Sequence, residues 1–228
     1  EWARPDYIFL TGATGFLGAF LLIRLLEQTQ AEVHCLTRGR SQDDALKRIL
    51  SNLKKYHLQP TPAQSARIMP VLGDLGGALL GLTVEEFEEY GEKMDVIVHC
   101  GAYVHSIFPY KTLRTANVKG TEEVLRLSVT GCRVQPVHHI STLSCLPGDG
   151  SPACLVLEDD PMTSSQFLHE GYAQSKWVAE KLMMCAAERG LPVRVFRPGR
   201  VTGDTTHGVA SVEDFMCRIV KGCLEVKA

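Results

Sequence analysis

The sequence predicts a doubly wound α/β domain built on a parallel sheet, and three observations carry that expectation. Apolar runs at residues 7–11, 32–37, 68–72, 95–102, 136–141 and 193–197 are nearly continuous, as strands buried on both faces require. Segments with helical periodicity separate them, the βαβ alternation of a parallel sheet. The first run passes directly into Gly12, Gly15 and Gly18 at three-residue spacing and then into an apolar helix at 16–26, the strand, turn and helix of a nucleotide cradle.

Composition narrows the possibilities further. The 228 residues are 45% hydrophobic and 22% charged, enough for a full core in one large domain, or one domain plus a fragment. With 24 Lys plus Arg against 26 Asp plus Glu the net charge is −2, which gives no electrostatic reason to expect nucleic acid or an anionic membrane. The eight cysteines, Cys154 among them, include no C-x-x-C pair and read as reduced core thiols of a cytoplasmic protein, with neither a disulfide frame nor a metal site. The apolar stretch 16–26 is too short to span a membrane and contains Arg24.

In the cradle, Gly12 permits a tight exit from the strand, Gly15 lets backbone N–H groups approach a pyrophosphate, and Gly18 lets the helix lie close on the sheet. The diphosphate then meets the positive end of the helix. The second strand stops at Arg38-Gly39-Arg40. A ribose 2′-hydroxyl asks for Asp or Glu at this point and a 2′-phosphate for a cation, so Arg38 favours NADPH; the plainer alternative is a solvated loop pair. Ser41 caps a helix to about residue 56, which brings Arg48 round as a second phosphate contact.

Residues 60–66 read as a linker. The run 68–72 leads into Gly73-Asp74-Leu75, suited to an edge strand at an adenine pocket, with Asp74 accepting from the exocyclic amine and Leu75 packing the ring; alone, Asp74 reads as a turn aspartate. Thr83 and Glu86 make a capping box for an acidic helix. The run 95–102 ends in Gly101 and Ala102, small residues that bring backbone close to a ribose or nicotinamide. His99 reads as a packed strand residue, and His105, beyond the strand, as the one to line a pocket. A long helix at 110–128 holds Asn117 in its middle, against propensity, which calls for a reason such as a water-mediated tie to a strand or to an active-site lysine. The strand 136–141 delivers Ser141 and Thr142. Residues 145–170, with Glu158-Asp159-Asp160, form a loop of lid or substrate-wall length.

The chemistry concentrates in Gly171-Tyr172-Ala173-Gln174-Ser175-Lys176, which opens a helix to about residue 189. Tyr172 and Lys176 stand at i and i+4 on one face. A phenol titrating near 10 is a poor proton donor-acceptor at neutral pH, and the ammonium together with a nicotinamide charge is expected to lower it. Thr142 adds a hydroxyl for the substrate oxygen.

Six segments, T-G-A-T-G-F-L-G, H-C-G-A, A-N-V-K-G-T, S-T-L-S, G-Y-A-Q-S-K and R-P-G-R-V-T-G, together resemble the extended short-chain dehydrogenase/reductases. Within them the chain is most similar to the thioester reductase domains that end nonribosomal peptide synthetases and polyketide synthases, related to carboxylic acid reductases and aminoadipate reductase. The resemblance implies a Rossmann-like domain over 1–228, a catalytic Thr142, Tyr172 and Lys176, and NADPH contacts from Gly12, Thr14, Gly15, Phe16, Leu17, Gly18, Arg38, Arg48, Asp74, Leu75, Gly101, Ala102, Asn117, Tyr172, Lys176, Pro198 and Gly199. It implies reduction of an acyl or peptidyl thioester on a phosphopantetheinyl carrier, in the same multidomain chain, to an aldehyde or onward to an alcohol. Domains of this family continue into a smaller substrate subdomain, expected to be cut off after about 205–228. That leaves the helix at 211–226, with Val212, Phe215, Met216, Ile219 and Val220, partly uncovered, and a fragment that binds NADPH as a monomer or weak dimer but reduces thioesters poorly. The alternatives are a nucleotide-sugar epimerase or dehydratase, which favours NAD and suits Arg38 badly, and a dinucleotide-sensing module, which predicts a broken Thr-Tyr-Lys set.

Overall fold

In the computed structural model, which describes residues 4–146, 155–158, 160, 162, 165, 166, 168–205, 208–211 and 214–226, six strands form one parallel sheet. They are β1 (Tyr7–Thr11), β2 (Glu32–Thr37), β3 (Ile68–Leu72), β4 (Val96–His99), β5 (Val137–Ile140) and β6 (Val193–Phe196). Their order, β3-β2-β1-β4-β5-β6, places a switch point between β1 and β4, where crossovers leave in opposite directions and open a crevice at the carboxyl edge.

Alternation explains why the strands read as unbroken apolar runs. Ile8 and Leu10 face a core with Leu22, Leu26, Val33, Ile49 and Leu53. Phe9, between them, faces the other way into a core with Leu36, Val71, Phe87, Ile97 and Leu127. Successive side chains point to opposite faces, so a sheet covered on both sides needs apolar residues at nearly every position.

Helices α1 (Phe16–Gln28) and α2 (Gln42–Lys55) flank the first half; Ser41 caps α2 by accepting from Asp44 N–H. The expected linker instead holds a short helix, α3 (Pro62–Ser65), because Thr61 and Gln64 complete a capping box and Pro62 presets the first turn. Helix α4 (Val84–Lys93) carries the Thr83–Glu86 box as read from sequence.

The long helix at 110–128 is interrupted. A π turn, Thr115–Lys119, separates α5 (Tyr110–Arg114) from α6 (Gly120–Leu127), and Asn117 lies inside it. The expected strand at 95–102 stops at His99, because Gly101 N–H turns to the Thr11 side chain. Helix α7 (Gly171–Glu188) matches the tyrosine–lysine segment, and α8 (Phe215–Val226) begins later than residue 211. Phe215, Met216, Ile219 and Val220 of α8 are exposed; Val212, like Cys154 and Asp159, lies outside the described residues.

Two glycines fix the turn after β1. Gly12 has φ of 84°, the left-handed region that other residues adopt at a cost. A Cβ on Gly18 would stand 1.9 Å from the Gly12 carbonyl oxygen, inside the turn itself, where no flexible atom can yield. Gly18→Ala is therefore expected to cost about 3 kcal/mol, the upper range for overpacking, measured by urea denaturation, and to abolish dinucleotide binding measured by calorimetry.

Candidate active site

The cradle is assembled from β1, α1 and α2. Gly15 N–H donates to the Gly12 carbonyl (2.9 Å), and Asn52 of α2 donates to the carbonyls of Ala13 (3.2 Å) and Gly15 (3.0 Å), bracing the turn from the side. Sequence reasoning missed Asn52, whose role depends on contacts 37 and 39 residues distant. No side chain caps α1 and its first turn holds no acidic residue, so its leading N–H groups face an anion site without competition. Thr14 and Gly15 are exposed there. Phe16 anchors the helix start by packing edge-on against Phe20 and Tyr56. Beside the turn a cleft of about 450 Å³ is lined by Thr14, Lys47, Arg48, Ser51, Asn52 and Lys55. Arg48 donates to the Arg38 carbonyl (2.6 Å), which gathers both guanidinium-bearing residues at the end of β2. The uncapped helix end and the glycine turn that a Cβ would fill fit a dinucleotide's diphosphate, and Arg38 and Arg48 make the neighbouring edge cationic.

At the far side of the crevice, α7 grips the end of β5. Lys176, 3% exposed, donates to the Ile140 carbonyl (2.7 Å) and faces His139 Nε2 (3.4 Å). Burial pulls its ammonium down to about 8. Burial likewise pushes the Tyr172 phenol up to about 12, helped by the neighbouring Cys100 and Cys145 thiols. The expected lowering by Lys176 is outweighed: the ammonium holds the end of β5, and desolvation of the phenolate dominates. Thr142 Oγ1 accepts from Ser144 N–H (3.2 Å). Leu143 N–H donates to the Pro198 carbonyl (3.0 Å), and Gly199 lies against Leu143. Thr142, Tyr172, Lys176, Pro198 and Gly199 therefore belong to one end of the sheet.

A directional chain of hydrogen bonds runs behind these groups. Gly101 N–H donates to Thr11 Oγ1 (2.8 Å), which pairs with His99 Nδ1 (2.8 Å). His99 Nε2 pairs with Thr121 Oγ1 (3.0 Å), whose hydroxyl donates to the Asn117 carbonyl (2.7 Å). Since Thr121 spends its proton on that carbonyl, its oxygen accepts from His99 Nε2–H, and His99 Nδ1 accepts from Thr11. His99 is thereby fixed as the neutral Nε2–H tautomer, and burial pushes its pKa down to about 3.

Asn117, 2% exposed, differs from its expected role as a cofactor contact. Its Oδ1 accepts from Tyr103 N–H (2.6 Å), and its Nδ2 donates to the Tyr103 carbonyl (3.0 Å) and Ser175 Oγ (2.9 Å). Both amide protons are spent on protein, directly and without a water, so Asn117 locks the loop after β4 to α7. His105 also departs from expectation: its Nδ1 accepts from the N–H groups of Ile107 and Phe108 (3.2 Å each) and its ring stacks on Phe108. It shapes the loop. Asp74 Oδ1 accepts from Gly76 N–H (2.9 Å), as a turn aspartate does, at the end of edge strand β3. Leu75 packs against Gly101 and Gly120, and Ala102 follows Gly101 out of β4.

Sequence reasoning also missed Glu180, one turn beyond Lys176 on α7 and fully buried. Its Oε1 accepts from Arg197 Nε (2.7 Å) and forms the ion pair with the second guanidinium nitrogen (2.6 Å). Its Oε2 accepts from Ser141 Oγ (2.5 Å) and Cys145 Sγ (3.2 Å). The stripe Tyr172, Lys176, Glu180 at four-residue spacing was the available signal. No group of three or more His, Cys, Asp or Glu among the described residues could hold a metal.

Comparison with known proteins matches this geometry. The chain aligns with the terminal R domain of the myxalamid PKS-NRPS pathway at 46% identity and a TM-score of 0.94, covering 98% of this chain and 56% of that one. A thiolation-reductase di-domain from an archaeal non-ribosomal peptide synthetase aligns at 25% identity and a TM-score of 0.76, over 95% of this chain and 47% of that one. A linear gramicidin synthase polypeptide from Brevibacillus parabrevis is 43% identical over 218 residues, 95% of this chain and 4% of that protein. The chain thus spans about half of the solved R domain and a small part of the synthase. Residues 10–228 match the profile of an NAD-binding family described as Male sterility protein, and the chain belongs to that family.

Proposed function

We propose that the chain is the nucleotide-binding part of an NADPH-dependent reductase that releases a carrier-bound acyl or peptidyl thioester as an aldehyde, or by a second round as an alcohol. The observation that carries this reading is the grip of α7 on the end of β5, with Lys176 on Ile140, beside an uncapped α1 N-terminus. The R domains and synthases among its relatives support it. Arg38 and Arg48 hold the 2′-phosphate, Gly12, Thr14, Gly15 and the N–H groups of Phe16, Leu17 and Gly18 the diphosphate, and Asp74 and Leu75 the adenine. Gly101, Ala102, Pro198 and Gly199 flank the nicotinamide end.

Bound NADPH supplies hydride to the thioester carbonyl. Tyr172, kept protonated by burial, donates its Oη proton to the carbonyl oxygen as charge develops there. Thr142 accepts from Ser144, which leaves its own hydroxyl proton for the same oxygen. Lys176 commits one N–H to Ile140 and, largely charged at pH 7, steadies the phenolate left on Tyr172. That phenolate retakes the hydroxyl proton as the hemithioacetal expels the carrier thiolate.

A phosphopantetheinyl carrier domain in the same chain delivers the substrate, a reading supported by the thiolation-reductase di-domain. A smaller substrate subdomain, supported by the R domain's greater length, completes the crevice and covers α8. The free state of the seven described cysteines supports a cytoplasmic setting, and no described helix is long and apolar enough to cross a membrane.

The direct test is aldehyde or alcohol formation from an acyl-pantetheine thioester with NADPH, in a protein containing the whole reductase region. Tight NADPH binding without thioester-dependent oxidation overturns the proposal. For the cofactor, Arg38→Ala is expected to weaken NADPH by about 1.5–3 kcal/mol, the scale of a charge-assisted contact, and to leave NADH nearly unchanged by calorimetry. Equal losses remove Arg38 from the phosphate site.

A further inference from the structure

Tyr172, Lys176 and Glu180 form a single stripe on α7, and two of them reach across to the same strand end. Lys176 holds Ile140. Glu180 Oε2 accepts from Ser141, and the one thiol proton of Cys145 stands between Glu180 Oε2 (3.2 Å) and the Thr142 carbonyl (2.9 Å). Thr142 is therefore bracketed, with the residues at −2, −1 and +3 each tied to α7.

The two carboxylate oxygens divide their work. Oε1 serves Arg197, whose Nη1 also donates to the Glu158 carbonyl (3.0 Å). Oε2 serves the Thr142 turn alone. A buried ion pair is seldom retained for stability, because desolvation offsets most of its attraction and apolar replacements often do as well. Here the carboxylate has a second use: while Oε1 pairs with Arg197, Oε2 is left to accept from Ser141, and bonds to a charge-paired acceptor are shorter and more directional than neutral ones.

We propose that Glu180, with Arg197 as its counter-ion, is a positioning residue that sets the Thr142 hydroxyl against Tyr172 and Lys176. This rests on the reading of Thr142 as the hydroxyl that meets the substrate oxygen. Helix α7 then carries the proton donor and also fixes, through Glu180, where the second hydrogen-bond donor stands. Misplacement of such a group by about 1 Å costs on the order of 100-fold in rate.

The test uses Ser141→Ala, which removes one bond without stranding a charge, and Glu180→Gln, which keeps the shape. Both are expected to shift and broaden the Thr142 methyl NMR signal in the cofactor-free protein and to keep NADPH affinity within about twofold. Both should lower kcat about 10- to 100-fold with little change in KM. Thr142→Val should lower kcat as well, and adding Glu180→Gln to it should cost no further factor beyond about twofold, since the second change acts through the first. A purely structural role instead leaves the methyl signal in place or makes the two losses multiply, and either result overturns the proposal. Should Thr142→Val leave kcat unchanged, the functional reading of Thr142 falls, and the methyl signal alone decides whether Glu180 positions it. If Glu180→Gln does not fold, Ser141→Ala decides in its place.

Discussion

Tyr172→Phe is expected to keep NADPH affinity within about twofold and to lose turnover by about 10²–10⁴-fold, the range of a general acid. The ring is half-buried, and Phe preserves its packing while removing only the Oη proton. Burial holds the phenol near 12, so below pH 9 it is protonated and ready to donate, which is the state a reduction needs. Were the phenol lowered toward neutrality, as the tyrosine–lysine spacing alone suggests, much of the protein would start without the proton. Single-turnover NADPH oxidation with an acyl-pantetheine substrate measures the loss, in a protein carrying the whole reductase region; unimpaired turnover takes Tyr172 out of the mechanism. Lys176→Met separates the two roles, because losing the ammonium removes a charge beside the phenolate as well as the hold on Ile140.

Whatever depends on neighbours along the chain is legible in the sequence. The six strands follow from runs such as Tyr7–Thr11, whose residues must satisfy two apolar faces. The Ser41 and Thr83 caps and the Tyr172–Lys176 pair each join residues three or four apart, and the glycine turn is encoded within Gly12 to Gly18. Most of the errors fall where the deciding partner is far away, His105 being the local exception. Asn117 does need a reason, but that reason is Tyr103, 14 residues back, and Ser175, 58 residues ahead; they hold the amide in a π turn that propensity does not foretell. His105 follows a strand, which alone points it at a pocket, whereas Ile107 and Phe108 occupy its Nδ1. Glu180 shares a stripe with Tyr172 and Lys176, but its burial is set by Ser141 and Arg197, 39 and 17 residues away.

His99 and His139 turn this buried architecture into a measurable acid sensitivity. Both lie between β4 and β5 with ring centroids 5.1 Å apart. Burial and the Lys176 charge drive His99 down to about 3 from the usual 6.5 and hold His139 well below 6.5. Between pH 6.5 and 3 the unfolded chain binds a proton at His99 that the folded protein refuses, so stability rises with pH across this window and is lost as the pH falls. Lys176 is protonated in both states there and adds nothing to the slope. At about 1.36 kcal/mol per pH unit beyond the titration midpoint, His99 alone accounts for a loss on the order of 2–3 kcal/mol between pH 7 and pH 4.5, and His139 adds loss of the same sign. The break begins at a defined place. A proton on His99 Nδ1 faces Thr11 Oγ1, whose hydroxyl must give up donating to that nitrogen and turn its own proton away, while its oxygen keeps accepting from Gly101 N–H. Urea denaturation at pH 7 and pH 4.5 measures the loss, and His99→Gln provides the control: its amide reproduces the bond to Thr121 but does not titrate. The variant is expected to be less stable at pH 7 yet to lose on the order of 2–3 kcal/mol less than the parent over the same interval. Identical pH slopes for the two proteins would show that His99 takes up its proton without disturbing the fold, and that the hydrogen-bond chain from Gly101 to Asn117 does not depend on its neutral tautomer.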